Sequence, residues 1–227
     1  MARTESAFVF DLDGTLVDSV YQHVLAWKDA LDREGIDLPV WRIHRKIGMS
    51  GGLFTQMLLR ETGVPITDDR VERLQQRHAE AYERLAGGGS VKPLRGAREL
   101  LAWLSDNDIP WAIATSGHKD STARTLASLG VDPSQTVVVT RDDVRHAKPD
   151  PDLFLAAAKR LGVDIRSALV LGDSVWDMLA AQRARALAIG LLSGGYGEDE
   201  LERAGAYRVF ADPADLLLHI DEVSARD

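Results

Sequence analysis

Ala7-Phe8-Val9-Phe10-Asp11-Leu12-Asp13-Gly14-Thr15-Leu16 is an apolar run that stops abruptly at two carboxylates. Ala7 to Phe10 is short, aromatic and uninterrupted, the pattern of a strand buried on both faces. Gly14 and Thr15 break the run. Side chains alternate along a strand, so Asp11 and Asp13 can share one side while Leu12 turns away. Two acids side by side at the end of a buried strand repel and cost folding energy. A bound divalent cation is the usual way to make such a pair tolerable, and hard cations take oxygen ligands. Taken alone, the same residues read equally well as a polar turn in which Asp13-Gly14 bends the chain. Three further polar clusters, each after or between strand-like segments, shift the balance toward function.

Composition sets the outer limits. A chain of 227 residues suits one large or two small domains with a sizeable core. Hydrophobic residues at 45% and charged residues at 27% are an ordinary globular balance. A net charge of −8 disfavours nucleic acid as a partner, so a phosphorylated ligand needs a local positive site. The absence of cysteine excludes disulfides, thiolate ligands and thiol nucleophiles, and fits a cytoplasmic location. No apolar stretch approaches the ~18 residues of a membrane span. Met1 to Ser6 lead into the first strand without the apolar region of a signal peptide.

Past the first strand the texture becomes helical. Val20, Val24, Trp27 and Leu31 recur at helical spacing, with Gly35 as a stop signal. Leu53, Met57 and Leu58 suggest a second helix ending near Gly63, entered through Gly48-Met49-Ser50-Gly51-Gly52. A third starts from the cap Thr67-Asp68 and runs through Val71, Leu74, His78 and Leu85. Gly87-Gly88-Gly89-Ser90 reads as a flexible link. From Val91 onward strands and helices alternate, which argues for a parallel sheet with helices on both faces. The expected architecture is therefore a Rossmann-like α/β core over residues 1–16 and 91–227. A small all-helical cap over residues 17–90 is inserted after the first strand, with hinge linkers.

Ligands of such sheets bind outside the carboxyl ends of the strands, and polar residues fall there. Thr115-Ser116-Gly117 follows the strand ending at Ala114. Its hydroxyls, with the N–H groups entering the next helix, can hold phosphate oxygens, although a plain helix cap explains it too. Lys148 precedes Pro149-Asp150-Pro151 and can offer a compact positive charge, or be an exposed charge before a proline-initiated helix. Gly172-Asp173-Ser174-Val175-Trp176-Asp177 follows Leu169-Val170-Leu171. There Asp173 can complete an oxygen-rich metal site, or simply belong to a turn and N-cap. His118 and His146 read as solvated loop residues, and Gly194-Gly195-Tyr196-Gly197 as a surface turn. Four clusters at the same edge of one sheet rarely coincide by chance.

In that order the four clusters resemble the motifs of the haloacid dehalogenase-like hydrolase superfamily, in its helical-cap branch of phosphoglycolate phosphatase-like and β-phosphoglucomutase-like enzymes. The resemblance spans nearly the whole chain and implies Mg²⁺-dependent phosphoryl transfer. It implies Asp11 as nucleophile, forming an aspartyl-phosphate, and Asp13 as general acid and then base. It implies Mg²⁺ on Asp11, the backbone carbonyl of Asp13, and Asp173, with Lys148 offsetting phosphate charge. Thr115, Ser116 and Gly117 would bind phosphate, and Asp177 would orient Lys148 or a metal-bound water. His23 is similar to a cap residue of the sugar-phosphatase branch, and stands equally well as a framework residue. Asp13 disfavours dehalogenation, which needs no acid. Glycine where the mutases carry a phosphate-gripping arginine, after Gly48-Met49-Ser50, disfavours mutase activity, unless Arg42, Arg45 or Lys46 reaches. The expectation is a phosphatase acting on a small phosphorylated metabolite, without nucleic acid or membrane, as a monomer or homodimer. The alternatives are a sugar phosphate mutase and a non-catalytic ligand-sensing module.

Overall fold

A computed structural model describes residues 7–49, 51–65 and 67–223, without the side chain of Leu59. Met1 to Ser6, and Ser50 of the glycine-rich stretch, lie outside the described residues. The chain divides into two compact units, Met1–Asp18 with Pro93–Asp227, and Ser19–Lys92. The division falls two residues beyond the limits read from sequence at each crossing. The reason is local: Val17 bridges both Asp13 and Pro93, which ties both ends of the excursion into the first unit.

The first unit is built on six parallel strands: β1 (Ala7–Phe10), β2 (Trp111–Ala114), β3 (Val137–Val139), β4 (Ala168–Gly172), β5 (Leu187–Leu191) and β6 (Ala206–Phe210). Their order is β3-β2-β1-β4-β5-β6. The chain steps outward from β1 in one direction, returns to its other side with β4, and steps outward again. The strand order thus reverses between β1 and β4, the place where such sheets hold ligands. Phe10 pairs with Ile113 on one side and with Leu171 on the other, so the residues after these strands emerge at one edge.

Strand alternation explains both buried faces. Ala7, Val9, Ala112, Ala114, Ala168 and Val170 form one small-residue face, against which Phe154, Ala157, Met178 and Ala181 pack. Phe8, Phe10, Ile113, Leu169 and Leu171 alternate to the other face and are buried as well. Small residues beneath bring helices close to the sheet, and the larger ones fill the opposite layer. No helix among the described residues is long and apolar enough to cross a membrane.

The second unit holds α1 (Val20–Arg33), α2 (Val40–His44), α3 (Gly51–Thr62) and α4 (Asp68–Ala86). Val20, Val24, Trp27 and Leu31 of α1 are buried, as their spacing predicts. In α4 the buried face is Leu74, Ala81, Tyr82 and Ala86, while Leu85 is exposed. The five-residue α2 escaped the sequence reading because it is too short to show periodicity. Gly87–Gly89, read as a flexible link, forms a 3-10 turn directly after α4.

An ionic knot fastens α1 to α4. Glu34, at the end of α1, has a side chain only 8% exposed and faces Arg70 at 3.5 Å, Arg73 at 3.3 Å and Arg77 at 3.1 Å. Three guanidiniums along one helix repel unless a carboxylate lies between them. Glu34→Gln is therefore expected to destabilise the chain by about 2 kcal/mol in urea unfolding, with the loss shrinking in high salt. A change within about 0.5 kcal/mol would mean the cluster is no more than a screened surface network.

Candidate active site

The strand β1 ends at Phe10, so Asp11 and Asp13 lie just beyond it, Asp13 forming an isolated bridge to Val17 ahead of the turn that begins at Gly14. Asp11 is anchored by its N–H, which donates to the Leu171 carbonyl at 2.8 Å. Its side chain is buried while that of Asp13 is half-buried. Asp173 follows β4 directly and is buried, and its Oδ1 accepts a hydrogen bond from Thr15 Oγ1 at 3.0 Å. Thr15 belongs to the first motif, but its role as the partner of Asp173 has no sequence signature.

The remaining helices of the first unit place the other groups. They are α5 (Ala97–Asp106), α6 (Lys119–Leu129), α7 (Asp152–Leu161), α8 (Val175–Ala184), α9 (Glu198–Arg203) and α10 (Pro213–Leu218). The Asp177 carboxylate on α8 does two things. Its Oδ2 accepts from the Ser174 N–H at 3.1 Å and the Ser174 hydroxyl at 2.6 Å, closing the helix N-terminus. Its Oδ1 meets the Lys148 ammonium at 2.7 Å as an ion pair without hydrogen-bond geometry. Gly172 makes room for this, because a Cβ there would lie 2.2 Å from Asp177 Cβ. The helix cap and the ion-pair partner are one side chain.

Lys148 is fully buried, hydrogen-bonds to Asp11 Oδ1, and sits 5.4 Å from the Phe154 ring centre. Asp11, Asp173 and Asp177 each offer an oxygen, and the three lie within 4.8 Å of one another. The Asp11 carboxyl is pushed up from an ordinary 3.8 to about 7, chiefly by burial and further by the charges of Asp177 and Asp13, with the attraction of Lys148 opposing them. Asp173 is raised well above the ordinary range by burial, then by Asp177 and Asp11. Burial lowers the Lys148 pKa, but the attraction of Asp11 and Asp177 outweighs it and the ammonium stays charged. Three buried carboxylates against one ammonium leave negative charge in excess, and an all-oxygen set of that charge suits a hard divalent cation.

At the end of β2, Thr115 Oγ1 accepts from the Gly117 N–H at 3.0 Å. Its own hydroxyl hydrogen takes no part in that bond. The N-terminus of α6 is already served from within the chain: the Lys119 N–H donates to Asp142 Oδ2 at 2.9 Å, and His118 Nδ1 lies 2.6 Å from Asp142 Oδ1. The Asp142 carboxyl is held below its usual range, first by the Lys119 N–H and then by His118. The N–H groups of Gly117 and Lys119, which the sequence offered to phosphate, are thus both engaged. His118 and His146 are exposed loop residues with partners, His146 donating its N–H to Asp152 at 3.1 Å.

Asp11, Asp173, Asp177 and Lys148 are brought together, with Asp13 close enough to act on Asp11. The carboxylate of Asp13 is outside the three-acid group. His23 belongs to the other unit, where it stacks on Tyr82 at 4.0 Å with Nδ1 3.3 Å from His78 Nε2. Gly194, read as part of a surface turn, is buried instead, because its turn follows β5 onto the same sheet edge as the acids.

The family model described as haloacid dehalogenase-like hydrolase matches residues 5–185. A phosphoglycolate phosphatase of Pectobacterium atrosepticum is 31% identical over 191 residues, covering 83% of this chain and 81% of its own length. Hexitol phosphatase A of Escherichia coli is 33% identical over 179 residues, covering 78% of each. The crystal structure of a hydrolase from Pseudomonas syringae superposes with a TM-score of 0.94 at 58% identity, over 97% of this chain and all of the other.

The excess of buried charge has a measurable cost. In chelator at pH 7.5, Asp11→Asn is expected to raise the unfolding free energy by about 1–3 kcal/mol, and Lys148→Met to lower it by a similar amount or more. Urea midpoints of the purified variants decide it. An Asp11→Asn protein less stable than its parent would mean that the acids are not crowded.

Proposed function

The chain belongs to the haloacid dehalogenase-like hydrolase family, and from that premise we propose that it is a Mg²⁺-dependent phosphatase of small phosphorylated metabolites. The observation that carries the reading is the convergence of three buried carboxylates on Lys148 where the strand order reverses. A non-catalytic sensing module has no need to retain a buried nucleophile, its cation and a metal-type acid set together.

The chemistry assigns each residue a task. An Asp11 oxygen attacks phosphorus and the ester P–O bond breaks, leaving the phosphoryl group on Asp11. Asp13 gives its proton to the departing oxygen. It then takes a proton from water as the water oxygen attacks phosphorus, releasing phosphate and restoring Asp11. The Thr115 hydroxyl and the Ser116 backbone hold phosphoryl oxygens, with Gly117 shaping the loop around them. Lys148 neutralises the transferring group and is oriented by Asp177. Asp11, Asp173 and the Asp13 carbonyl would hold Mg²⁺, which supplies further positive charge to the phosphoryl oxygens.

Hydrolysis is favoured over mutase chemistry by the second unit. A mutase holds a second phosphoryl group, but Lys46 is buried on Glu61 at 2.6 Å and Arg42 lies 3.8 Å from the same carboxylate. Two of the three cations that could do so face an acid already.

Phosphate release from a panel of phosphorylated metabolites tests the reading. Release is expected to require Mg²⁺, to stop in chelator, and to fall about a thousandfold or more in Asp11→Asn. Metal-independent release, or an Asp11→Asn protein of parental activity, would contradict it. Interconversion of sugar phosphates without release would favour the mutase.

A further inference from the structure

Beyond the four motifs, a fifth loop reaches the acids. The 3-10 turn Leu192–Gly194 follows β5 directly. Its Ser193 hydroxyl donates to the Gly14 carbonyl at 2.6 Å, in the turn between Asp13 and Thr15. Thr15 in turn donates to Asp173 Oδ1 at 3.0 Å. The other oxygen of Asp173 lies against the next residue of the turn: a Cβ on Gly194 would sit 1.7 Å from Asp173 Oδ2 and 2.6 Å from Asp173 Cβ. The contacts close a ring, Ser193 to Gly14, Thr15, Asp173, Gly194 and back to Ser193, joining the loops after β1, β4 and β5. Tyr196, buried in the core cluster, pins the far side of the loop.

We propose that Ser193 and Gly194 are positioning residues for the divalent-cation site, fixing the turn that carries Asp13 and the rotamer of Asp173. This rests on the site assignment of the proposed function and extends it to a loop outside the motifs. Two features argue for more than packing. Asp173 is buried, with the Thr15 hydroxyl on one oxygen and Gly194 close against the other, which restricts the orientation of its carboxylate. A side chain at 194 clashes with Asp173 Cβ as well as its oxygen, so rotation of the carboxyl alone cannot relieve it. The Ser193 bond, for its part, ends on a backbone carbonyl one residue from Asp13, so losing it releases the turn and not merely a side chain. Partners that orient metal ligands typically change affinity by about 10- to 100-fold when removed.

The test is Mn²⁺ binding to the full chain, by calorimetry and by the loss of the free-ion electron paramagnetic resonance signal, with no substrate present. Gly194→Ala is expected to raise the Mn²⁺ Kd about tenfold or more, and Ser193→Ala about tenfold. Ser193→Thr keeps the hydroxyl and is expected to stay within about twofold of the parent. Circular dichroism and urea midpoints identify a variant that fails to fold; the Ser193 pair carries the test if Gly194→Ala is lost. Parental Kd values in Ser193→Ala and Gly194→Ala, or stability losses without a Kd change, overturn the inference. Equal weakening in Ser193→Thr and Ser193→Ala overturns the role of the hydroxyl. A parent chain that binds no Mn²⁺ overturns the site assignment itself, and this extension with it.

Discussion

Lys148 lies in a place that water does not reach, against the carboxylates of Asp11 and Asp177, with Asp173 alongside. Everything at the sheet edge is arranged around that imbalance. A buried ammonium is stable only because two acids surround it, and three buried acids are held together only because the ammonium is there. The remaining negative charge is what makes the site receptive to a divalent cation. The Ser174 bonds hold one oxygen of Asp177, and burial beside the other acids raises the pKa values of Asp11 and Asp173.

The parallel sheet makes this imbalance possible. Helices cover both its faces, so β1 and β4 are buried along their length, and the groups after them inherit that burial. Because the chain leaves β1 in one direction and comes back beside it at β4, Asp11 and Asp173 emerge as neighbours without a connection crossing between them. Small residues under α7 and α8 bring those helices close, and α8 then delivers Asp177 in its first turn. The helix cap, often treated as a local matter, thus doubles as an electrostatic device.

Much of this was legible in the sequence, for physical reasons. The β1 run and the later strand–helix alternation are strong signals because burial on both faces leaves continuous apolar segments. Asp11, Lys148, Asp173 and Asp177 could be named because each follows or precedes such a segment. Strand alternation carried to Asp13 runs three residues past the end of β1 at Phe10. The half-buried His23 gave two readings from sequence, and its partners His78 and Tyr82 come from a helix 55 residues on, which no local pattern announces. Thr15, Asp142 and Gly194 were missed in their roles for the same reason: their significance lies in a contact across the chain. In Asp142 that contact is with the first amide of α6, which competes with phosphate for a helix terminus that looked open in the sequence.

The central claim is that Asp11 is the group that takes the phosphoryl unit. The most direct measurement is rapid quenching of the protein with a turned-over phosphate ester in acid, followed by peptide mass spectrometry. The account predicts a transient phosphoryl adduct on the peptide carrying Asp11, rising and decaying as substrate is consumed. Turnover with Asp11 unmodified at every time point, or with the adduct on another residue, would contradict it.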